Sequence, residues 1–259
     1  MSSRCETDII CGYGDGTRWE TRRRQGFPAP GWRLTEPARG PPGARHTRPD
    51  VLDERYRSAS AVWSGQPNPI LVAEAADISP GAALDVGCGE GADAIWLAER
   101  GWQVTAIDIS TVALQRGAAQ AHQVGPEVGE RITWVCEDVT SWVSPTAYDL
   151  VSAQFMQLPT PQRELLHRGL AASVAPGGIL LIVGHHPSDL RTTARRPRLP
   201  ELFFTAQEVA ATLDALDTEW EIVADEARGR STSDPEGRTV TIRDTVLKAR
   251  RLTSRTGDH

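Results

Sequence analysis

One stretch limits the folds open to this chain more than any other: residues 82–98, Ala-Ala-Leu-Asp-Val-Gly-Cys-Gly-Glu-Gly-Ala-Asp-Ala-Ile-Trp-Leu-Ala. Its apolar opening (Ala82 to Leu84, then Val86) reads as a short buried strand. Gly87, Gly89 and Gly91 follow at alternate positions, and Ala92, Ile95, Trp96 and Ala98 then recur at helical spacing. A strand therefore turns directly into a helix. Glycine, lacking a Cβ, takes positive φ there and lets a ligand approach the backbone closely. Asp85 adds a fixed negative charge at the carboxyl end of the strand. Three glycines plus an acid exceed what a bare turn needs, so this turn is expected to hold a ligand.

Leu84-Asp85-Val86-Gly87-Cys88-Gly89-Glu90-Gly91 resembles the cofactor loop of class I S-adenosylmethionine-dependent methyltransferases, whose pattern is acidic-x-Gly-x-Gly-x-Gly. The resemblance implies S-adenosyl-L-methionine as cofactor, with Asp85, Gly87, Cys88, Gly89 and Gly91 around it. Gly87-x-Gly89-x-x-Ala92 also satisfies the dinucleotide-binding fingerprint, with Asp108 about where a ribose-binding acid would sit. The motif by itself thus specifies a nucleotide-like cofactor at a strand-to-helix turn, and an NAD-dependent oxidoreductase stays open beside the methyltransferase.

Downstream, strands and helices alternate. Gly101 closes the first helix in the C′ position. Gln103 to Ile107 reads as a strand, Ser110 to Gln123 as a helix, and Ile132 to Cys136 and Tyr148 to Ala153 as further strands. A helix over 161–174 is expected to stop at Pro176-Gly177-Gly178, before a continuous apolar strand from Ile179 to Val183. Thr205 with Glu208 three residues on is a capping box opening a helix to about Leu213. Two runs without an intervening helix, Trp220 to Glu226 and Thr239 to Lys248, predict an antiparallel hairpin. The expected fold is α/β: a doubly wound, mostly parallel seven-stranded sheet, Rossmann-like, with a C-terminal antiparallel hairpin. Class I methyltransferases end this way, whereas nucleotide-binding dehydrogenases rarely do.

The resemblance also assigns roles. An acid after the second strand accepts hydrogen bonds from both ribose hydroxyls, a task suited to an acceptor-only carboxylate; Asp108, with Ile109 beside it, matches. Asp108 equally reads as a cap before the helix at Ser110, and both roles are compatible. Asp138, with Val139, matches the acid that bonds the adenine amine, and otherwise reads as a plain loop acid. Gln154, past the fourth strand of the alternating series, falls near the methionine part, with Phe155 or Met156 toward the acceptor. The opening Asp53 to Pro69 resembles that of bacterial tellurite-resistance and thiopurine methyltransferases. That makes Trp63 a candidate lid residue, with Arg55 or Tyr56 within reach. Trp63 as plain packing between helix and sheet stays open. His185 and His186 are the candidate catalytic residues, either as a proton acceptor or as pocket wall. Adjacent residues of an extended chain point to opposite faces, so the pair is a poor chelator and no metal site is expected. Residues 189–200 read as a loop, either a mobile lid or a solvated segment, carrying Arg191, Arg195 and Arg196.

Residues 1–50 look foreign to the rest, with seven Gly, six Pro, and nine Arg against six acids. Such composition buries too little surface to offset its ordering entropy, so a disordered basic tail is expected, followed by one domain over 51–249 and a frayed end at 250–259. A translation start near Val51 is a further expectation. The net charge of −6 argues against nucleic acid and anionic membranes as general partners. Cys5, Cys11, Cys88 and Cys136 show neither disulfide-framework nor metal spacing, which favours reduced thiols in the cytoplasm. No apolar run reaches membrane-spanning length. The expected activity is in-line methyl transfer to a small-molecule acceptor; a catalytically silent cofactor-binding protein is the third reading. Acceptor identity, use of a general base and oligomeric state are left open at this level.

Overall fold

The computed structural model describes residues 9–11, 49–197 and 199–253. The elements run β1 (Ile9–Cys11), α1 (Pro49–Arg57), α2 (Pro69–Ala75), β2 (Ala82–Val86), α3 (Ala92–Glu99), β3 (Gln103–Asp108), α4 (Thr111–Val124), α5 (Pro126–Glu130) and β4 (Ile132–Cys136). There follow β5 (Tyr148–Gln154), α6 (Gln162–Ala172), β6 (Val174–His185), α7 (Ala206–Asp214), β7 (Trp220–Ser233) and β8 (Thr239–Arg251). The strands lie in the order β1-β4-β3-β2-β5-β6-β8-β7. β4, β3, β2, β5 and β6 are parallel, and β8 runs antiparallel to both β6 and β7. The expected seven strands with their terminal hairpin are present, and Ile9–Cys11 adds an eighth, parallel to Trp134–Cys136. The remainder of the expected tail, 1–8 and 12–48, lies outside the described residues, as does 254–259.

Local signals position the helices. Ser110 caps α4 by accepting from Ala113 N, and Asn68 caps α2 through Ile70 N, with Pro69 at the first turn. The capping box at Thr205 and Glu208 forms in full. Leu84, Ile107, Leu150, Leu180 and Leu181 are fully buried in the central strands, because helices cover both faces of the sheet. One face packs Leu71, Leu97, Trp102 and Trp134, the other Leu166, Val209, Leu213 and Phe204. Pro176-Gly177-Gly178, expected as a helix stop, lies within β6. Val174 pairs with Tyr148, and the register shifts before Leu150 meets Ile179. The irregularity absorbs the extra residues, and Gly177 takes φ 82° there.

His167 on α6 is buried against the edge of Phe204, with ring centroids 5.6 Å apart. Burial, with the Arg163 guanidinium adding to it, pushes its imidazole down to about 4. The unfolded chain takes up that proton first as pH falls, so the stability from keeping His167 neutral is complete above about pH 6.5 and is lost toward pH 4. His167→Phe is expected to remove about 2–3 kcal/mol of the drop in unfolding free energy between pH 7 and pH 4. Urea melts at the two pH values measure it; an unchanged drop would show that His167 does not titrate in this range.

Candidate functional site

β2 is followed on one side by β3 and β4 and on the other by β5 and β6, so the strand order reverses between β2 and β5. In an open α/β sheet the crevice at the carboxyl ends of such a pair is where ligands bind. The glycine turn lies there. Gly87 and Cys88 amides donate to Ile107 O (2.8 and 3.1 Å), and Gly91 N donates to Cys88 O (2.9 Å). Gly87, Gly89 and Gly91 all take positive φ, 69°, 55° and 79°.

Asp108 does not cap α4, whose N-cap is Ser110. One Asp108 oxygen accepts from Ser110 N (2.8 Å) and the other from Gly89 N (2.9 Å), so it braces the glycine turn from the carboxyl end of β3. Burial raises its pKa, and the amides of Ser110, Gly89 and Ile109 counter that rise. Asp85 is 2% exposed, and its Oδ2 has no hydrogen-bond partner in the structure. Burial first, then the neighbouring carboxylates of Asp93 and Asp108, hold its pKa well above the usual carboxylate range, against one bond from Ala94 N. A buried, orphaned carboxylate oxygen among other acids suits a cationic partner. The Cys88 thiol is likewise pushed up by burial and by Asp108 and Asp85, so it stays protonated.

The segment between α1 and α2 crosses this turn. A Cβ placed on Gly89 would stand 3.0 Å from Tyr56 Oη and 3.2 Å from Trp63 Nε1. Trp63 Nε1 donates to Tyr56 Oη (3.1 Å), and the Arg55 guanidinium lies 4.9 Å from the Trp63 ring centre. Burial, followed by Asp108, raises the Tyr56 hydroxyl to about 12. Trp63 is 53% exposed, so it covers the loop from outside rather than wedging α1 onto the sheet. Asn68 then ties three parts together: its N–H donates to Asp93 Oδ1 (2.6 Å), and its Nδ2 donates to Gln154 Oε1 (2.9 Å). Gln154 Nε2 donates in turn to Ser152 Oγ (2.8 Å).

Past β5, Phe155 takes φ 55°, unusual for a residue with a side chain. Its ring centre lies 4.9 Å from that of His185, which is 5.7 Å from that of Phe203. Met156 sits on Gly87, where any Cβ would overlap its sulfur. Gln157 Nε2 is 2.7 Å from His185 Nε2, while His185 Nδ1 is buried without a partner. Burial, aided by the Arg196 and Arg230 charges, pushes His185 down to about 3, so it is a neutral, weakly basic imidazole at neutral pH. His186 turns away, pairing its Nδ1 with Ser188 Oγ (2.9 Å). Asp138 is exposed and closes a local turn, its Oδ1 accepting from Thr140 N (2.9 Å) and Oγ1 (2.7 Å). Val139 packs against the core on the Leu84 face of the sheet.

Residues 189–196 are pinned rather than lid-like. Asp189 accepts from Arg243 N (2.8 Å) and Arg196 Nε (3.0 Å), and Arg196 reaches Asp244 (3.2 Å), which also pairs with Arg230 (2.5 Å). Thr193 Oγ1 donates to Asp234 Oδ2 on the hairpin (2.8 Å). Arg196 is therefore spent on buried aspartates, while Arg191 and Arg195 are exposed. Glu90, Asp93, Asn68 and Gln157 carried no sequence signal for the site. Only Asn68, an N-cap residue before a proline, was locally readable, and then as a helix start.

Residues 83–178 match the methyltransferase domain family. A 150-residue stretch is 30% identical to a 2-heptyl-1-hydroxyquinolin-4(1H)-one methyltransferase of Mycobacteroides abscessus, covering 52% of this chain and 63% of that protein. The chain thus spans less than two thirds of the length of this curated relative. TehB of Haemophilus influenzae superposes with a TM-score of 0.58 at 19% identity, over 78% of this chain and 66% of that one. The N-methyltransferase NodS of Bradyrhizobium japonicum, solved with S-adenosyl-L-homocysteine, gives 0.59 at 17% identity, over 78% and 97%. The fold is that of the class I methyltransferases.

Proposed function

We propose that this chain, which carries a class I methyltransferase domain, uses S-adenosyl-L-methionine to methylate a small-molecule acceptor. The observation that carries this reading is the charge around the glycine turn. Asp85, Asp93 and Asp108 cluster beside it, and Asp85 Oδ2 lies buried without a partner. Acids at that turn repel the pyrophosphate of a dinucleotide, whose usual seat is the helix N-terminus. They suit a cofactor with a cationic amino-acid end and a ribose diol. Asp85 and the amides of the turn would hold the amino-acid end, and Asp108 the ribose hydroxyls. Asp138 remains the candidate for the adenine amine and Gln154 for the methionine part.

The cofactor supplies an electrophilic methyl group, so the protein's task is to orient the acceptor, worth roughly 7–11 kcal/mol of barrier. Phe155, Phe203 and His185 form the acceptor side. A neutral His185 orients a nucleophile by hydrogen bonding better than it takes a proton from it. The relative named for methylating a hydroxyquinolone supports a small-molecule acceptor. Among the described residues no helix is long and apolar enough to cross a membrane.

Calorimetry with S-adenosylhomocysteine and with NADH tests the cofactor. S-adenosylhomocysteine is expected to bind at micromolar level and NADH not to bind, while release of S-adenosylhomocysteine across a panel of hydroxyl, thiol and amine acceptors reads transfer. Tight NADH binding would overturn the proposal.

A further inference from the structure

The strap between α1 and α2 is fixed at both ends and latched once in the middle. Its first anchor is Asp53 on α1, whose Oδ1 accepts from Ser110 Oγ (2.6 Å) and Val112 N (3.3 Å) at the start of α4. Its second is Asn68, bonded to Asp93 and Gln154. Between them the chain reads Arg-Ser-Ala-Ser-Ala-Val-Trp-Ser-Gly-Gln-Pro, mostly small and exposed residues with little apolar surface to bury. Glu90 reaches it from inside the glycine turn. Glu90 Oε2 accepts from Val62 N (3.1 Å) and Trp63 N (3.2 Å). Its other oxygen pairs with Arg116 Nη1 (2.9 Å), and Arg116 Nη2 donates to Ala59 O (2.9 Å). Tyr56 at the end of α1 and Trp63 on the strap, joined by their own hydrogen bond, stand over Gly89, where an added Cβ would come within 3.0 Å of Tyr56 Oη and 3.2 Å of Trp63 Nε1.

We infer that Glu90 is the latch of a gate: it holds the Tyr56–Trp63 strap closed over the glycine turn, and the strap must part for a cofactor to enter or leave. Because Glu90 belongs to the turn that the cofactor contacts, occupancy of the turn and position of the strap are coupled. This rests on the cofactor site proposed above, but the latch itself is testable without any ligand.

Two measurements on the full chain test it. Hydrogen–deuterium exchange of the apo protein follows the Val62 and Trp63 amides. Both Glu90→Ala and Arg116→Gln are expected to speed their exchange at least tenfold, with the amides of β2 and β3 unchanged. Stopped-flow tryptophan fluorescence then follows S-adenosylhomocysteine, with Trp63→Phe identifying the signal of the strap. Opening the latch is expected to raise the association and dissociation rate constants together, about tenfold each, and to move Kd less than threefold. Unchanged exchange in both variants overturns the latch, whatever the cofactor. Faster exchange with a raised dissociation rate alone overturns the gate and leaves Glu90 as a simple contact. Absence of S-adenosylhomocysteine binding to the wild type would instead sink the cofactor assignment, and the exchange result would still decide the latch. Arg116→Gln lies outside the turn, so a Glu90→Ala protein that fails to fold does not remove the test.

Discussion

Asp108→Ala is expected to lower the affinity for S-adenosylhomocysteine at least a hundredfold. A charge-assisted hydrogen bond is worth about 1.5–3 kcal/mol, so a carboxylate gripping two ribose hydroxyls supplies about 3 kcal/mol or more, and 1.4 kcal/mol is tenfold. The loss has a second source in the loop itself. Gly89 N and Ser110 N both donate to this carboxylate, at 2.9 and 2.8 Å, and each is left without a partner when it is removed. Stranding two such amides costs about 2–4 kcal/mol of fold stability, partly offset because the buried carboxylate no longer has to be desolvated. Calorimetric titration gives the first effect and a denaturant melt the second. An Asp108→Ala protein that binds S-adenosylhomocysteine like the wild type would remove the ribose assignment. Asp138→Ala is the comparison: that side chain is exposed and engaged only in its own turn, so its loss is expected to leave the melt unchanged.

The largest effect on stability is expected at Gly91. Its φ of 79° costs an alanine about 1–2 kcal/mol. Space costs more. The Trp134 indole from β4 lies in a notch between Gly91 and Gly117, and a Cβ on Gly91 would overlap its six-membered ring. Trp134 is 1% exposed and cannot swing aside without opening the core, so overpacking adds about 1–3 kcal/mol. Gly91→Ala should therefore destabilise the domain by about 3–4 kcal/mol and lower Tm by about 10 °C. Gly237→Ala is the control. It has the same φ of 79° but nothing within 4 Å of the new methyl group, so only the backbone cost of about 1–2 kcal/mol remains. Equal losses at the two sites would show that the Trp134 contact carries no weight.

How much of this was legible beforehand follows from how far apart the partners lie in the chain. The strand at 82–86, the Thr205–Glu208 box and the turn of the terminal hairpin are each set by neighbours a few residues away, and each forms; the cap of α4 falls on Ser110 instead of Asp108. The eighth strand at Ile9–Cys11 carried no such pattern, and its pairing with β4 is a purely tertiary contact. Residues 189–200 looked open for the same reason. Their arginines and prolines say nothing about Asp244, which lies 48 residues beyond Arg196 and holds it in place.

The sites divide along the same line. Alternating glycines beside Asp85 determined that a strand would turn directly into a helix with an open backbone between them, because φ preference and the missing Cβ belong to the residues themselves. Tertiary structure alone decided that Glu90 faces the strap and that Asn68 bridges Asp93 and Gln154. It also decided that His185 ends as a neutral imidazole among rings. Those outcomes depend on which side chains share a space and on how little water reaches it, and neither is written in the order of residues along the chain.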